Sequence, residues 1–357
     1  MVKLIAVGDI SLITKNNLPP FDAVKESFRG KDILFGQLET VLSNRGRKAE
    51  KRTLLYTSPE KVRYLKEAGF DVLNIANNHI FDLGPEGIND TLDILHQNDI
   101  FFVGAGNQKF NQPYAIIERN GITLGFSGYT TSGFEHVEED VFINRFDENN
   151  IVRDIKDLKS KCDIVVVSLH WGIENVFYPS PEQQVFAREC IDAGACVILG
   201  HHPHVFQGIE RYENGLILYS LANFQFDFDH EGVVDDKLSD TLILTVNLTK
   251  NGVKNYDIVP AKISREYVPY IVDKEEKENR IKAMSEISTR IIEGRVTSKF
   301  WFEQIGYEYL RGNMSAWIVR IMRYGIKHLL QFIQWLLSPF VIRCCLGTIR
   351  NTFKKKG

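Results

Sequence analysis

Short runs of apolar, often β-branched residues recur along the first two hundred positions of this chain, separated by longer stretches with helical spacing. Leu4–Val7, Ile33–Leu38, Val72–Ala76, Phe101–Gly104, Ile164–Leu169 and Val197–Leu199 predict strands. Pro59–Ala68, Pro85–Gln97 and Pro181–Ala193 predict helices, with Pro85 and Pro181 in the first turn, where a missing N–H costs no hydrogen bond. Alternation of this kind predicts a layered α/β domain with its chemistry at strand ends. Antiparallel signals join in from Tyr114. Asn120-Gly121 separates Tyr114–Glu118 from Ile122–Ser127, and Asn251-Gly252 separates Leu242–Leu248 from Lys254–Val259; both pairs read as hairpins. Two sheets packed face to face, with helices outside, accommodate both kinds of strand. The pattern is helical from Asp273 onward. The expected organisation is therefore a domain over 1–272 and a helical extension over 273–357.

Charge changes this picture at one end. The 357 residues carry a formal net charge of −3, which argues against a dedicated nucleic-acid binder. From Lys299 to Gly357, however, 10 Lys/Arg face 2 acids, whereas the first 298 positions hold 33 basic and 44 acidic residues. An acidic body carries a basic tail. Within it Arg320, Arg323, Lys327, Gln331 and Gln334 share a narrow arc at 100° per residue, opposite a broad apolar face. Two readings stand side by side: a helix packed on the main domain, or in-plane attachment to an anionic membrane reinforced by Arg343, Arg350 and Lys354–Lys356. The uncharged run Leu329–Ile342, interrupted by Pro339, is too short to span a bilayer. Cysteine usage adds little. Cys162, Cys190, Cys196, Cys344 and Cys345 fit no metal-knuckle spacing and no disulfide framework, pointing to a reducing compartment, with Cys344-Cys345 expected as a reduced buried pair. Val2–Val7 starts a strand at once, with no signal-peptide pattern before it. The expected location is cytoplasmic, peripheral at the inner face of the membrane if the tail binds there.

Polar clusters follow the strands. Asp9 closes the first and Glu39 ends Ile33–Leu38; Asn77-Asn78-His79 follows Val72–Ala76, His170 follows Ile164–Leu169, and His201-His202-Pro203-His204 follows Val197–Gly200. Each residue alone has an ordinary structural explanation as a cap, a turn or a satisfied core histidine. Five strand ends together supply the carboxylate, amide and imidazole mixture that suits a pair of borderline divalent metals.

Gly8-Asp9-Ile10-Ser11-Leu12, Gln37-Leu38-Glu39-Thr40, Asn77–Gly84, His170-Trp171-Gly172, Gly200–His204 and Tyr219–Phe224 resemble, in order, the motifs of the CapA family of capsule and polyglutamate synthesis proteins. The similarity covers about residues 1–260. Such proteins resemble calcineurin-like metallophosphoesterases, which implies an α/β/β/α sandwich and a dinuclear centre of Mn, Fe or Zn. By motif, Asp9 and His204 would hold one metal, Asn78, His170 and His202 the other, and Glu39 would bridge them. His79 would serve as proton donor or electrostatic clamp. Asp82 would orient His79 or cap a helix, and Asn223 would line the site or shape a turn. His201 stands where the family commonly has a small residue. Ser11 stands where ordinary phosphoesterases carry a histidine, so the first metal has one imidazole fewer.

Two functions follow from the resemblance. One is a metal-dependent hydrolase acting on a phosphoester or anionic polymer in cell-envelope polymer synthesis. The other is a non-catalytic accessory subunit of a membrane-associated polymer-synthesis complex. The loops Arg45–Leu55 and Thr130–Asp140 are where substrate selection is expected; the basic stretch Arg45–Arg52 would attract an anionic polymer or remain a solvated loop.

Overall fold

The structure is a computed structural model and describes residues 1–51, 53–112, 114–131, 140–227, 236–325 and 328–354. Its larger sheet has the spatial order Pro269–Ile271, Gly252–Ile263, Asp240–Thr249, Val2–Ile10, Ile33–Leu38, Val72–Asn74, Phe101–Val103, with Asn223–Gln225 added beside the end of Val2–Ile10. The four strands from Val2–Ile10 to Phe101–Val103 are parallel, and the three on the other side are antiparallel. The second sheet runs Ile209–Tyr212, Gly215–Leu218, Val197–His201, Ile164–His170, Ile122–Thr130, Tyr114–Arg119, parallel in the middle and antiparallel at both edges. Both expected hairpins are present. Asn120 (φ 52°) and Gly121 (φ 70°) both take the left-handed region that a tight two-residue connection requires.

The helices are α1 (Val62–Ala68), α2 (Gly84–Gln97), α3 (Glu148–Lys161), α4 (Pro181–Asp192), α5 (Lys274–Ile292), α6 (Ser298–Tyr324), α7 (Leu329–Leu336) and α8 (Pro339–Lys354). Successive side chains on a strand point to opposite faces, and that alternation builds the layers. Val2, Leu4 and Ala6 enter a core shared with Phe126, Val166 and Leu199 of the second sheet. Ile5 and Val7 belong instead to a cluster with Leu65 of α1 and Ile88, Leu92 and Leu95 of α2. Beyond the second sheet, Val165, Val167 and Ile198 cluster with Ile151, Ile155 and Leu158 of α3 and Phe186 and Cys190 of α4. The architecture is the four-layer α/β/β/α sandwich.

Helix α5 follows its N-cap Asp273 and lies over one edge, where the Ile209 amide donates to Ser288 Oγ at 3.0 Å. Helices α6 and α8 pack so closely that a Cβ on Gly347 would stand 2.1 Å from the Phe302 carbonyl oxygen, and one on Gly306 would stand 2.3 Å from that of Cys344. The expected continuous basic arc is corrected here. Helix α6 stops at Tyr324, because Gly325 (φ 87°, ψ 179°) has a backbone that no helix continues through. A new helix starts at Leu329, so Arg320 and Gln331 belong to different helices. Lys327, Lys355 and Lys356 lie outside the described residues, as do Arg52 and 132–139 of the two expected selectivity loops. Cys344 is buried but Cys345 is exposed, because neighbouring side chains on a helix diverge by about 100°.

Candidate metal centre

The parallel pairing of Val2–Ile10 with Ile33–Leu38 brings Asp9 and Glu39 to one edge of the larger sheet. In the second sheet His170 and His201 stand side by side in parallel register. Two glycines permit the close backbone approach this requires. A Cβ on Gly8 would lie 1.9 Å from the Ala222 carbonyl oxygen, and one on Gly200 would lie 1.9 Å from that of Tyr219. Residues 219–225 therefore lie directly against both strand ends, and the Asp9 amide donates to the Ala222 carbonyl at 3.0 Å. After His201 the chain turns with His202 at φ 91° and His204 at φ 59°. Left-handed backbone at a residue with a Cβ costs on the order of 1 kcal/mol, and here it aims two imidazoles back toward Asp9 and Glu39.

The six expected ligands meet. Glu39, His170 and His202 offer ligand atoms within 4.8 Å of one another, as do Asp9, Glu39 and His204. Glu39 belongs to both groups. The His170 Nε2 lies 2.7 Å from Asn78 Oδ1 and 3.7 Å from Glu39 Oε1. Donor atoms held ~2.1 Å from a common cation stand roughly 3 Å apart, so this trio has the spacing of one coordination shell. On the other side, His204 Nδ1 is 3.5 Å from Asp9 Oδ2 and 2.8 Å from Asn223 Oδ1.

Hydrogen bonding tests whether a cation fits. Both oxygens of the fully buried Glu39 carboxyl lack a hydrogen-bond partner, as do His170 Nδ1 and His202 Nδ1. Polar atoms removed from water without partners cost ~1–3 kcal/mol each, and more when charged. A divalent cation beside that carboxylate would remove the cost, so the residues fit a metal. Without cations the site resists charge. Burial, and then the neighbouring carboxylates of Asp9, Glu174 and Asp82, push the Glu39 carboxyl well above its usual range. Burial, and then the other histidines, hold His170 well below the usual imidazole value. Burial likewise lowers His202 to about 4.

Beside the ligands, His79 Nδ1 donates to Asp82 Oδ2 at 2.6 Å. Asp82 orients His79 and makes no cap on α2, whose N-cap is Leu83. The Leu55 amide donates to the same Asp82 oxygen at 2.7 Å, and Lys51 pairs with the other oxygen at 2.7 Å while also donating to the Asn78 carbonyl. Composition places Lys51 in a basic or solvated loop; the structure anchors it within the site. Arg45, from the same stretch, pairs with Asp90 at 2.5 Å instead. Three further residues take positions that their motifs alone did not assign. His201 Nδ1 donates to Asp9 Oδ1 at 3.0 Å and orients that carboxylate. Glu174 forms a group with His202 and His204; its only signal was its place four residues past His170. Asn223 holds His204. At the position of the missing histidine, the Ser11 hydroxyl accepts from the Ile13 amide at 3.3 Å.

Two facing sheets with carboxylate, amide and imidazole donors gathered at parallel strand ends define an α/β/β/α protein with a candidate metal site. The chain belongs to the bacterial capsule synthesis protein PGA_cap family, whose model matches residues 3–228 and so includes all the site residues above. It is similar to the capsule biosynthesis protein CapA of Bacillus anthracis, with 38% identity over 225 residues, covering 60% of this chain and 53% of that protein. It is similar also to the PGA biosynthesis protein CapA of Bacillus subtilis (strain 168), with 35% identity over 250 residues, covering 68% and 64%. A third relative is a probable polyglutamine synthesis accessory protein of Mycobacterium tuberculosis, 27% identical over 257 residues and covering 66% of this chain and 67% of that one. The chain thus spans between half and two thirds of the length of the two Bacillus proteins.

Proposed function

We propose that this chain is a metal-dependent hydrolase of the metallophosphoesterase type, acting on a phosphoester or related bond in a precursor of an anionic cell-envelope polymer. The observation that carries this reading is Glu39: one buried carboxyl, unpartnered at both oxygens, common to two ligand groups. Asp9 and His204 would hold one cation, Asn78, His170 and His202 the other, and Glu39 both. Bound cations would supply Lewis-acid polarisation at phosphorus. The chain's own groups do the rest. The bond from His79 Nδ1–H to Asp82 orients the ring, so that in its doubly protonated form Nε2–H is the proton delivered to a leaving oxygen. Lys51 neutralises Asp82 on its far oxygen, which keeps that carboxylate from competing for the cations. His201 fixes Asp9 as an outer hydrogen-bond partner fixes a ligand.

The test is metal content by mass spectrometry together with hydrolysis of p-nitrophenyl phosphate and bis-p-nitrophenyl phosphate, with Asp9→Ala and His202→Ala as controls. Turnover that needs added metal and both residues supports the hydrolase. Bound metal without turnover on either substrate favours the second reading, an accessory subunit of a polymer-synthesis complex; Ser11 in place of an imidazole favours that reading too.

A further inference from the structure

Helix α8 has two apolar faces, and only one of them is used. Val341, Cys344 and Gly347 are buried on the inner face, where Asn351 Nδ2 donates to the Glu303 carbonyl of α6 at 2.9 Å. On the outer face Ile342, Leu346, Ile349 and Phe353 are all exposed, Phe353 to 73%. Their spacing of four, three and four residues draws one stripe along the helix. A helix that needed only to cover α6 would carry polar residues there. The apolar exposure continues into α7, where Leu330 is 72% exposed, and into Leu337 just beyond it, which is 69% exposed.

Charge identifies what covers the stripe. Arg343 and Arg350, both exposed, flank it on one side at a seven-residue spacing. Beyond Glu308 the sequence holds nine Lys/Arg and no Asp or Glu. A second copy of this face would bring more arginines and, from this stretch, no acid to pair with them. An anionic bilayer satisfies both features at once, taking the stripe into its acyl boundary and the arginines among its phosphates. No single described helix is long and apolar enough to cross a membrane; α7 and α8 together have the length and composition for it but are bent by 58° at their junction, and the exposed Arg343 and Arg350 beside the stripe favour an in-plane attachment. We infer that the outer face of α8, continued by α7, is a docking surface for an anionic lipid bilayer. The inference is independent of the metal centre.

The test is flotation of the full chain with vesicles of phosphatidylcholine alone and of phosphatidylcholine with about 30 mol% phosphatidylglycerol. Retention on the anionic vesicles is expected to exceed retention on the neutral ones by at least about tenfold and to weaken with added salt. Leu346→Glu with Ile349→Glu is expected to lower retention by about tenfold or more, and Arg343→Gln with Arg350→Gln to remove the preference for anionic lipid. All four side chains are exposed, and unchanged thermal unfolding would show that the variants remain folded. Failure to float with either vesicle, or equal retention of the glutamate variant, overturns the inference. So does a dimer in sedimentation that the glutamate variant dissociates while vesicles remain unbound, since the stripe then covers itself.

Discussion

At the strand ends, polar atoms are buried without hydrogen-bond partners; on α8, apolar side chains stand in water. Both regions carry an unmet demand, of opposite kind. The first is shaped by residues far apart in sequence, such as His201 and Asp9, separated by 192 positions, and by left-handed backbone at His202 and His204. The second is built from neighbouring turns of short helices. A cation would meet the first demand, and a low-dielectric surface would meet the second. The contrast separates a site fixed by tertiary structure from a surface fixed by local periodicity, and each can be changed without the other.

The largest effect expected is from Glu39→Gln. It should abolish binding of the metal pair and lower metal-dependent turnover by more than about a thousandfold, checked by metal analysis and kinetics. The same substitution should raise the unfolding temperature of the metal-free protein. A proton held on Glu39 above the usual range means that the folded chain binds more protons than the unfolded one. The stability this group contributes is therefore full below the unfolded value near 4.5 and falls as pH rises toward the raised folded value. Glutamine removes that slope. His170 and His202 have the opposite sign. Their lowered folded values cost nothing above about pH 6.5 and destabilise progressively below it, so unfolding temperature against pH in chelator reads both groups.

His79→Ala is next, with turnover expected to fall by about 10²–10⁴-fold while bound metal stays at the wild-type level. Gly347→Val addresses the other region. Its side chain meets the Phe302 carbonyl, which belongs to backbone, so it should cost about 3 kcal/mol by calorimetry and displace α8 without changing metal content. A change in metal content would join the two regions that the comparison separates. The smallest effect is expected from His201→Ala. Loss of one hydrogen bond to Asp9 should weaken metal affinity by about 10–100-fold, measured by competition with a chelating dye.

Much of this was legible in the sequence because strand ends are sharply marked. A β-branched run followed at once by Asp, Glu, Asn or His announces both the strand and its edge, and the six expected ligands meet on that basis. What stayed hidden depended on loops or on weak periodicity. Helix α3 is not legible, although Asp147 caps it and Ile151, Ile155 and Leu158 are spaced for burial; apart from these and Val152 its residues are all polar. Lys51 lies in a stretch whose composition reads as solvated, and only the fold shows Asp82 beneath it. The end of α6 at Gly325 is not legible because a single glycine within a helical pattern is commonly tolerated; here its backbone leaves the helix.

The passage of residues 219–225 from the second sheet onto the first has a consequence for synthesis. Asp9 leaves the ribosome long before Ala222, yet its amide waits for the carbonyl of Ala222 and its own strand for Asn223. Pairings so distant along the chain close late. Assembly of the site is then among the last events of folding, and a nascent chain released before this crossing would have most of its side chains made and none of them gathered.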